Sequence, residues 1–371
     1  MSGMRLAIGL MSGTSMDGVD VAAIESDGRT IGAFGPTLAR PYSDPERTAL
    51  RAALDEGPRL SSRAERPEAV AWAEQVVTAA HVDAVATFLT ENGLTADDVA
   101  VIGFHGQTVF HAPSRRLTVQ IGDGLALARA TRIPVVYDFR AADVAAGGQG
   151  APLVPIFHAA LAATSDLPRP LVVCNIGGVA NLTFIGRSAA AGDLVAFDCG
   201  PGNAALDDWC LARFGRAVDV DGHAAARGRV DERIVAALLA HPFFAAPVPK
   251  SLDRNAFTAE AVRGLAADDG AATLTAFTAR AIARGLEHLP ERPALIVVAG
   301  GGAHNPTLSA MLSAAAGVVV KTAAAVGWST DFLEAQAFAH LAVRHLEGLP
   351  LTFPGTTGVH APMRGGVLAR G

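Results

Sequence analysis

The sequence predicts an α/β protein built from two similar domains, and three observations carry that prediction. Short apolar strands alternate with helical stretches along nearly the whole chain, the pattern of sheets layered with helices. An apolar run, a Gly-tipped turn and a second apolar run open the chain at residues 6–24, and the same grammar returns at residues 171–185. The chain has 371 residues, more than the ~250–300 at which a single core stops growing, so two domains facing one another across a cleft are expected.

Residues 6–10 and 19–24 flank the tip Met11-Ser12-Gly13-Thr14-Ser15-Met16-Asp17-Gly18, which reads as a β-hairpin lined with small residues and hydroxyls. Such a tip suits phosphate. Glycine lets backbone N–H groups close on an anion, Ser12, Thr14 and Ser15 add donors, and Asp17 is placed to orient a hydrated magnesium ion. A third strand is expected around residues 30–38, followed by a polar, proline-bearing connector. Residues 65–89 carry apolar positions near helical spacing and stop at Asn92-Gly93, so one long helix is predicted. Residues 99–104 form a buried strand ending in His105-Gly106-Gln107-Thr108, a helix follows Gly122-Asp123-Gly124, and residues 133–137 are another strand. The Gly- and Pro-rich stretch at residues 145–155 is the expected boundary. It gives a first domain of residues 1–148 plus 347–371 and a second of residues 149–346, hinged at 145–150 and 347–355.

In the second half, strands are predicted at residues 171–176, 179–185 and 194–197. The last runs into Asp198-Cys199-Gly200-Pro201-Gly202-Asn203, after which residues 204–214 are helical. Helices are expected at residues 229–239 and 257–288, then a buried strand at 294–299 ending in Gly300-Gly301-Gly302. A further helix opens near Pro306, another covers residues 331–346 with Glu334 in its first turn, and the tail from Pro350 is irregular. Ligands of open α/β sheets collect at the carboxyl ends of strands, so several of these Gly-rich turns are expected at one pocket. None has the spacing of a P-loop or the full dinucleotide fingerprint.

Composition excludes several classes of function. A net charge of −6 argues against nucleic acid as the main partner. Half the residues are hydrophobic and mean hydropathy is +0.31, yet no clean apolar run of ~18 residues would span a membrane. The first residues lack the organisation of a signal peptide. Cys174, Cys199 and Cys210 are odd in number and have no paired C-x-x-C, which fits a reducing cytoplasm.

Seven stretches in fixed order carry a resemblance: MSGTSMDGVD (11–20), GFHGQTVFH (103–111), DFRAADVAAGGQGAPLVP (138–155), NIGGVANLT (175–183), FDCGPGN (197–203), AGGGAHNP (299–306) and EAQAFAHLA (334–342). Together they resemble the anhydro-N-acetylmuramic acid kinases, within the superfamily of sugar kinases, actin and heat-shock chaperones. The resemblance implies two ribonuclease-H-like domains of actin/hexokinase type, with mixed sheets flanked by helices and an ATP cleft between domains. It also implies ATP with Mg2+, an anhydro amino sugar as substrate, a homodimer and a role in recycling cell-wall sugar. On that resemblance, residues Gly13, Thr14, Ser15, Met16, Asp17, Gly18, Val19 and Asp20 hold the β- and γ-phosphates, with Asp17 near magnesium. Gly200, Gly202 and Asn203 form an opposing phosphate loop, and Gly300, Gly301 and Gly302 let adenosine approach the backbone. The sugar-binding segments then belong to the first domain and the adenosine site to the second.

The substrate so implied has its O6 tied to the anomeric carbon, so water must attack that carbon. Asp198 is expected to take the proton from this water while O6 departs and is captured by the γ-phosphoryl group. The structural alternative for Asp198 is a cap on the following helix. Arg140 is expected on the lactyl carboxylate, His105 and Gln107 on ring hydroxyls or the acetamido group, and Glu334 in the active site. Three places depart from the family pattern. Cys199 stands where Thr is usual, putting a weak thiol in place of a hydroxyl that is expected at phosphate. Leu252-Asp253-Arg254-Asn255 and Ser329-Thr330 also differ. The rival readings are a conventional sugar or acetate-type kinase acting on a free hydroxyl, and a non-enzymatic ATP-gated clamp.

Overall fold

The computed structural model describes residues 3–13 and 15–371. Thr14, expected at the phosphates, lies outside the described residues. Along the chain come β1 (Arg5–Met11), β2 (Gly18–Ser26), β3 (Ile31–Pro41), α1 (Asp44–Glu56), α2 (Glu68–Glu91), β4 (Val101–Phe104), β5 (Gln107–Ala112), β6 (Leu117–Ile121), α3 (Gly124–Thr131), β7 (Val135–Tyr137), α4 (Ala141–Ala145) and α5 (Pro155–Ala163). Next are β8 (Leu171–Ile176), β9 (Val179–Ile185), β10 (Val195–Pro201), α6 (Ala204–Phe214), α7 (His223–Arg227), α8 (Glu232–Leu239), α9 (Ala267–Gly285), β11 (Leu295–Ala299), α10 (Pro306–Ala316) and β12 (Val319–Thr322). The chain closes with α11 (Leu333–Leu346), α12 (Pro354–Thr357) and β13 (Val367–Ala369).

The duplication read from the two hairpins is real at the level of topology. The first sheet runs β13-β7-β4-β1-β2-β3 and the second β10-β9-β8-β11-β12. In each, three consecutive strands pair antiparallel and two later strands add in parallel on the far side of the first. Parallel neighbours need long crossovers, which α1 and α2 provide in the first half and α6 to α9 in the second. This is the mixed α/β architecture expected. Each sheet buries an aliphatic face of its own, with Ile8, Leu10, Val21 and Ile102 in the first core and Val172, Leu182, Ile296 and Val298 in the second.

Chain division differs from the expectation. The two compact units are Met1–Thr164 with Glu334–Gly371, and Ser165–Leu333, so the crossings fall after α5 and at the start of α11 rather than near residues 148 and 347. Backbone packing is the reason. A Cβ at Gly9 of β1 would stand 1.7 Å from the Ala335 carbonyl oxygen, and one at Gly103 of β4 would stand 2.0 Å from that of Phe338. Helix α11 therefore lies flush on the first sheet, and α5 joins it through a Phe157–His340 ring contact at 5.7 Å. The stretch 145–150, expected to hinge, is strapped to Thr357 within the first unit. Gln149 N–H donates to the Thr357 carbonyl at 2.7 Å, and Asp143 takes the Gly150 N–H at 2.7 Å and the Thr357 hydroxyl at 2.6 Å.

Other departures have local causes. The connector after β3 is helix α1, announced by a capping box in which Ser43 N–H donates to Glu46 at 2.7 Å and Glu46 N–H returns to Ser43 Oγ. Ser43-Asp44-Pro45-Glu46 carried that signal, with proline in the first turn where it is tolerated. Of the helix expected at 257–288 only α9 forms as α-helix; upstream the chain makes two isolated 3-10 turns, Arg254–Ala256 and Ala259–Val262. The short strands β12 and β13 exist because a neighbouring edge pairs with them, something a stretch of three or four residues cannot announce. Among the described residues no helix is long and apolar enough to cross a membrane, and all three cysteines are buried and free.

Candidate functional site

In the first unit the turn after β1 is held from beneath. Ser12 is 1% exposed, and its hydroxyl donates to Gln107 Oε1 at 2.6 Å while lying 2.9 Å from the Tyr42 hydroxyl, which then donates to it. The other end of the Gln107 amide donates to the Gly13 carbonyl at 3.2 Å. Gln107 is fully buried and both ends of its amide are bonded to the residues of the turn, so it braces the turn from beneath. The Ser12 hydroxyl likewise spends its bonds on Gln107 and Tyr42. Ser12→Ala should cost about 1–3 kcal/mol, because two buried polar groups lose their partner; urea unfolding checks this.

Above that support the turn exposes Ser15 and Asp17, with Met16 at φ 57° and its N–H on the Gly13 carbonyl at 3.2 Å. Gly18 is required at the start of β2, since a Cβ would stand 2.3 Å from the Arg40 carbonyl oxygen. Val19 is fully buried in the core, which leaves only its backbone to face a ligand, and Asp20 is half-buried opposite Met11. An exposed carboxylate beside a tight turn suits a magnesium ion that keeps its waters and is held mainly by phosphate; Asp17 fits that use.

His105 follows β4, and Gly106, at φ 71° and tight against the Ile121 carbonyl, turns the chain into β5. Both imidazole nitrogens are committed: Nδ1 donates to the Gly106 carbonyl at 2.7 Å, and Nε2 accepts from Arg140 Nη2 at 3.0 Å and Nε at 3.3 Å. Burial, with Arg140 beside it, holds the ring neutral by lowering its pKa to about 3. His105 therefore holds Arg140 in place. Arg140 also donates from Nη1 to the Gly150 carbonyl at 2.8 Å. Burial lowers its pKa to about 10 while Glu334 and Asp143 support the charge. Glu334, in the first turn of α11, is raised by burial and lowered in part by Arg140. The first unit thus brings His105, Arg140 and Glu334 together, and an incoming carboxylate would meet an arginine that already has an acidic neighbour.

Sequence reading missed a cavity of about 220 Å3 at the carboxyl ends of β4 and β7, walled by His105, Arg63, Arg66, Gln120, Tyr137 and Asp138. Arg63 pairs with Asp138, and Arg66 grips Glu74 with two contacts of 3.0 Å. Arg63 and Arg66 lie far upstream in a polar segment, where nothing local marks them.

In the second unit Asp198 sits on β10 directly opposite Asn181 of β9, which is opposite Asn175 of β8. Cross-strand neighbours share a face, so a carboxylate and two amides form a row while Cys174, Leu182, Phe197 and Cys199 face the core. Asn175 and Asn181 were not singled out; the N-x5-N spacing has meaning only once the hairpin is registered. Asp198 Oδ2 accepts the Leu252 N–H at 2.8 Å, and the Asp198 N–H donates to the Lys250 carbonyl at 2.9 Å. Burial raises the carboxyl to about 6, against the lowering effect of the Leu252 N–H. Asp198 is no helix cap: Asn203 occupies the N-cap position of α6.

Alternation along β10 puts Cys199 on the same inward face as Phe197, opposite to Asp198, and a bulge between Asp198 and Gly200 then shifts the pairing. The Cys199 thiol is buried and donates to the Ala180 carbonyl at 3.3 Å, so the expected weakening of a phosphate contact is corrected; the substitution lies beneath the sheet. The departure at Leu252 touches Asp198 only through the backbone, and Thr330 meets Gly300 N–H through its carbonyl at 3.3 Å, so neither contact depends on the side chain.

The turns at Gly177-Gly178, at Gly200 to Asn203 and at Gly300 to Gly302 converge at one end of this sheet. Gly202 N–H donates to Gly178 at 3.0 Å and Asn203 N–H to Gly177 at 2.8 Å. Those N–H groups hold the hairpin tip, and Gly200 packs on Ala281. The glycines at 200 and 202 thus have packing reasons of their own, and these particular donors do not point at an anion. Gly301 is exposed beside Asn203, whereas Gly300, at φ 73°, and Gly302 are closed in by Asn175 and Ile176. Asp207, in the first turn of α6, was also missed. Burial and its neighbour Asp208 raise it to about 7, with Arg254 opposing, but in sequence an acid there reads as a complement to the helix dipole.

A family model described as anhydro-N-acetylmuramic acid kinase matches residues 5–370. The chain belongs to that family. A Methylobacterium nodulans protein named anhydro-N-acetylmuramic acid kinase is 57% identical over 98% of this chain and 99% of its own. One of the same name from Rhodopseudomonas palustris is also 57% identical, over 98% and 99%, and one from Nitrobacter winogradskyi is 56% identical, over 99% and 100%. This anhydro-N-acetylmuramic acid kinase family member therefore matches its relatives end to end, with both sheets included in the match.

Proposed function

We propose that the chain is an ATP-dependent kinase that opens the 1,6-anhydro ring of anhydro-N-acetylmuramic acid with water and phosphorylates O6. The products are N-acetylmuramic acid 6-phosphate and ADP, and the reaction serves cytoplasmic recycling of cell-wall sugar. The observation that carries this is Asp198. A carboxylate with one oxygen fixed by a backbone N–H and its pKa raised to about 6 is a stronger base than an exposed aspartate and is still ionised at neutral pH. Asp198 takes a proton from water as the water oxygen bonds to the anomeric carbon. The bond from that carbon to O6 breaks, O6 bonds to the γ-phosphorus, the bond from that phosphorus to the β-bridging oxygen breaks, and ADP leaves; the proton then passes to solvent.

The turn around Gly13 to Gly18 holds the phosphates on this reading. Asp17 would hold magnesium through water, and the ion when bound supplies charge neutralisation to the phosphates. Glu334 and Arg140 serve the sugar side, with Arg140 taking the lactyl carboxylate in exchange for part of its interaction with Glu334. The active species is a homodimer.

Purified protein with ATP and the anhydro sugar should yield a ring-opened 6-phosphate. In water labelled with heavy oxygen, promptly analysed product should carry the label at the anomeric carbon. A phosphorylated product with the anhydro ring intact, or without label, would instead identify a conventional kinase acting on a free hydroxyl.

A further inference from the structure

Arg140 is the group set against the sugar's carboxylate, and a guanidinium recognises a carboxylate well only when its plane points the right way. Two neighbours fix that plane. Nε and Nη2 both donate to His105 Nε2, and Nη1 donates to the Gly150 carbonyl at 2.8 Å. His105 is anchored on its own turn through the Gly106 carbonyl. Gly150 belongs to a loop, so the second support is only as firm as whatever holds that loop.

Asp143 holds it. The residue lies on α4, one turn after Arg140, and is 1% exposed. Its Oδ1 accepts the Gly150 N–H at 2.7 Å, and its Oδ2 accepts the hydroxyl of the fully buried Thr357 at 2.6 Å. The loop closes so tightly on the carboxylate that a Cβ on Gly148 would stand 2.1 Å from Oδ1, and Gly150 takes φ 68°, in the left-handed region open to glycine. The Gln149 N–H adds a bond of 2.7 Å to the Thr357 carbonyl. Electrostatic support for the Arg140 charge comes first from Glu334 and then from Asp143. Every member of this chain of contacts lies within the first unit.

We propose, resting on the function above, that Asp143 is a positioning residue for recognition of the sugar's lactyl carboxylate. It fixes Gly150, and Gly150 with His105 fixes the plane of Arg140. Those two partners do not use up the N–H groups of the guanidinium, and the ones left over keep a set direction for a ligand. Both oxygens of Asp143 are spent on the protein, so it acts through Arg140 and touches no substrate. Its contribution belongs to substrate binding and not to the bond changes, which places it in KM and leaves kcat alone.

The test uses the full chain with Asp143→Ala, Asp143→Asn and Thr357→Val, each assayed on anhydro-N-acetylmuramic acid and on its methyl ester, which keeps the anhydro ring but offers Arg140 no charge. In the alanine variant KM for the acid should rise about ten-fold or more, while kcat and the KM for the ester stay within about three-fold. Asparagine keeps an acceptor for the Gly150 N–H, and the Thr357 hydroxyl can turn to accept from its amide, so that variant should return KM to within about three-fold of the parent. Thr357→Val withdraws one support and leaves the carboxylate; it should raise KM for the acid about three-fold or more and spare the ester, which decides the matter even if the alanine variant does not fold. Equal losses on acid and ester mark a merely structural role and would overturn the assignment, as would an alanine variant with the parental KM for the acid. A parent enzyme that treats acid and ester alike would instead overturn the Arg140 contact on which the proposal rests, and one inactive on the anhydro sugar would overturn the function itself.

Discussion

Asp198→Asn should lose at least about 100-fold in turnover and yet make the protein more stable at pH 8. The carboxyl titrates at about 6 in the folded state because burial disfavours its charge, against 3.8 ordinarily. The folded protein therefore binds this proton more tightly than the unfolded chain. The stability that comes with protonation is fully present below the ordinary value and is lost as pH rises through about 6. Above that, an ionised Asp198 costs up to about 2–3 kcal/mol, a cost that asparagine does not carry while its amide oxygen still accepts the Leu252 N–H. Thermal unfolding should show the variant a few degrees above the parent at pH 8, the gap narrowing as pH falls through about 6 and closed below about 4. In the parent, kcat/KM should rise with pH and level off above about 6, as a base that must be ionised requires. ATP affinity should stay within a few-fold. A variant with parental turnover would remove Asp198 from proton transfer, and one less stable at pH 8 would show that the buried charge is not the dominant cost.

Gly9→Ala and Gly103→Ala should each destabilise by about 3 kcal/mol or more, at the severe end for single substitutions. An added methyl would stand 1.7 Å from one α11 carbonyl oxygen and 2.0 Å from another. Backbone cannot rotate aside as a side chain can, so the helix must lift. Since both changes push on the same helix, the double variant should lose less than the sum. Denaturant midpoints measure this. Ala335, struck by the Gly9 methyl, adjoins Glu334, so activity should fall further than the unfolded fraction explains. Parental stability in either variant would mean that α11 does not lie flush on the sheet.

Much of the architecture was legible because its signals are local. The two hairpins, α6 and the strand before Asp198 follow from apolar runs bounded by glycine. Helix α1 was legible as well, through Ser43 and Glu46, although the proline between them gave a connector instead. The division into units was not legible. The glycines at 147, 148 and 150 look like a linker, but Asp143 and Thr357 bind that stretch across more than 200 residues of sequence. The same limit applies to His105 and Gln107: their chemistry fitted a sugar, but each spends both polar ends on partners brought in by folding.

The sequence by itself determined the α/β class, the doubled hairpin pattern, the family and the candidate base, because each is written in contiguous residues. Tertiary structure decided which polar groups have donors and acceptors left for a ligand. It set Gln107 under a turn, put the Cys199 thiol on the Ala180 carbonyl, and aligned Asn175 and Asn181 with Asp198. Hydrogen-bond capacity and desolvation depend on what the rest of the chain packs against a residue, and no window of sequence contains that.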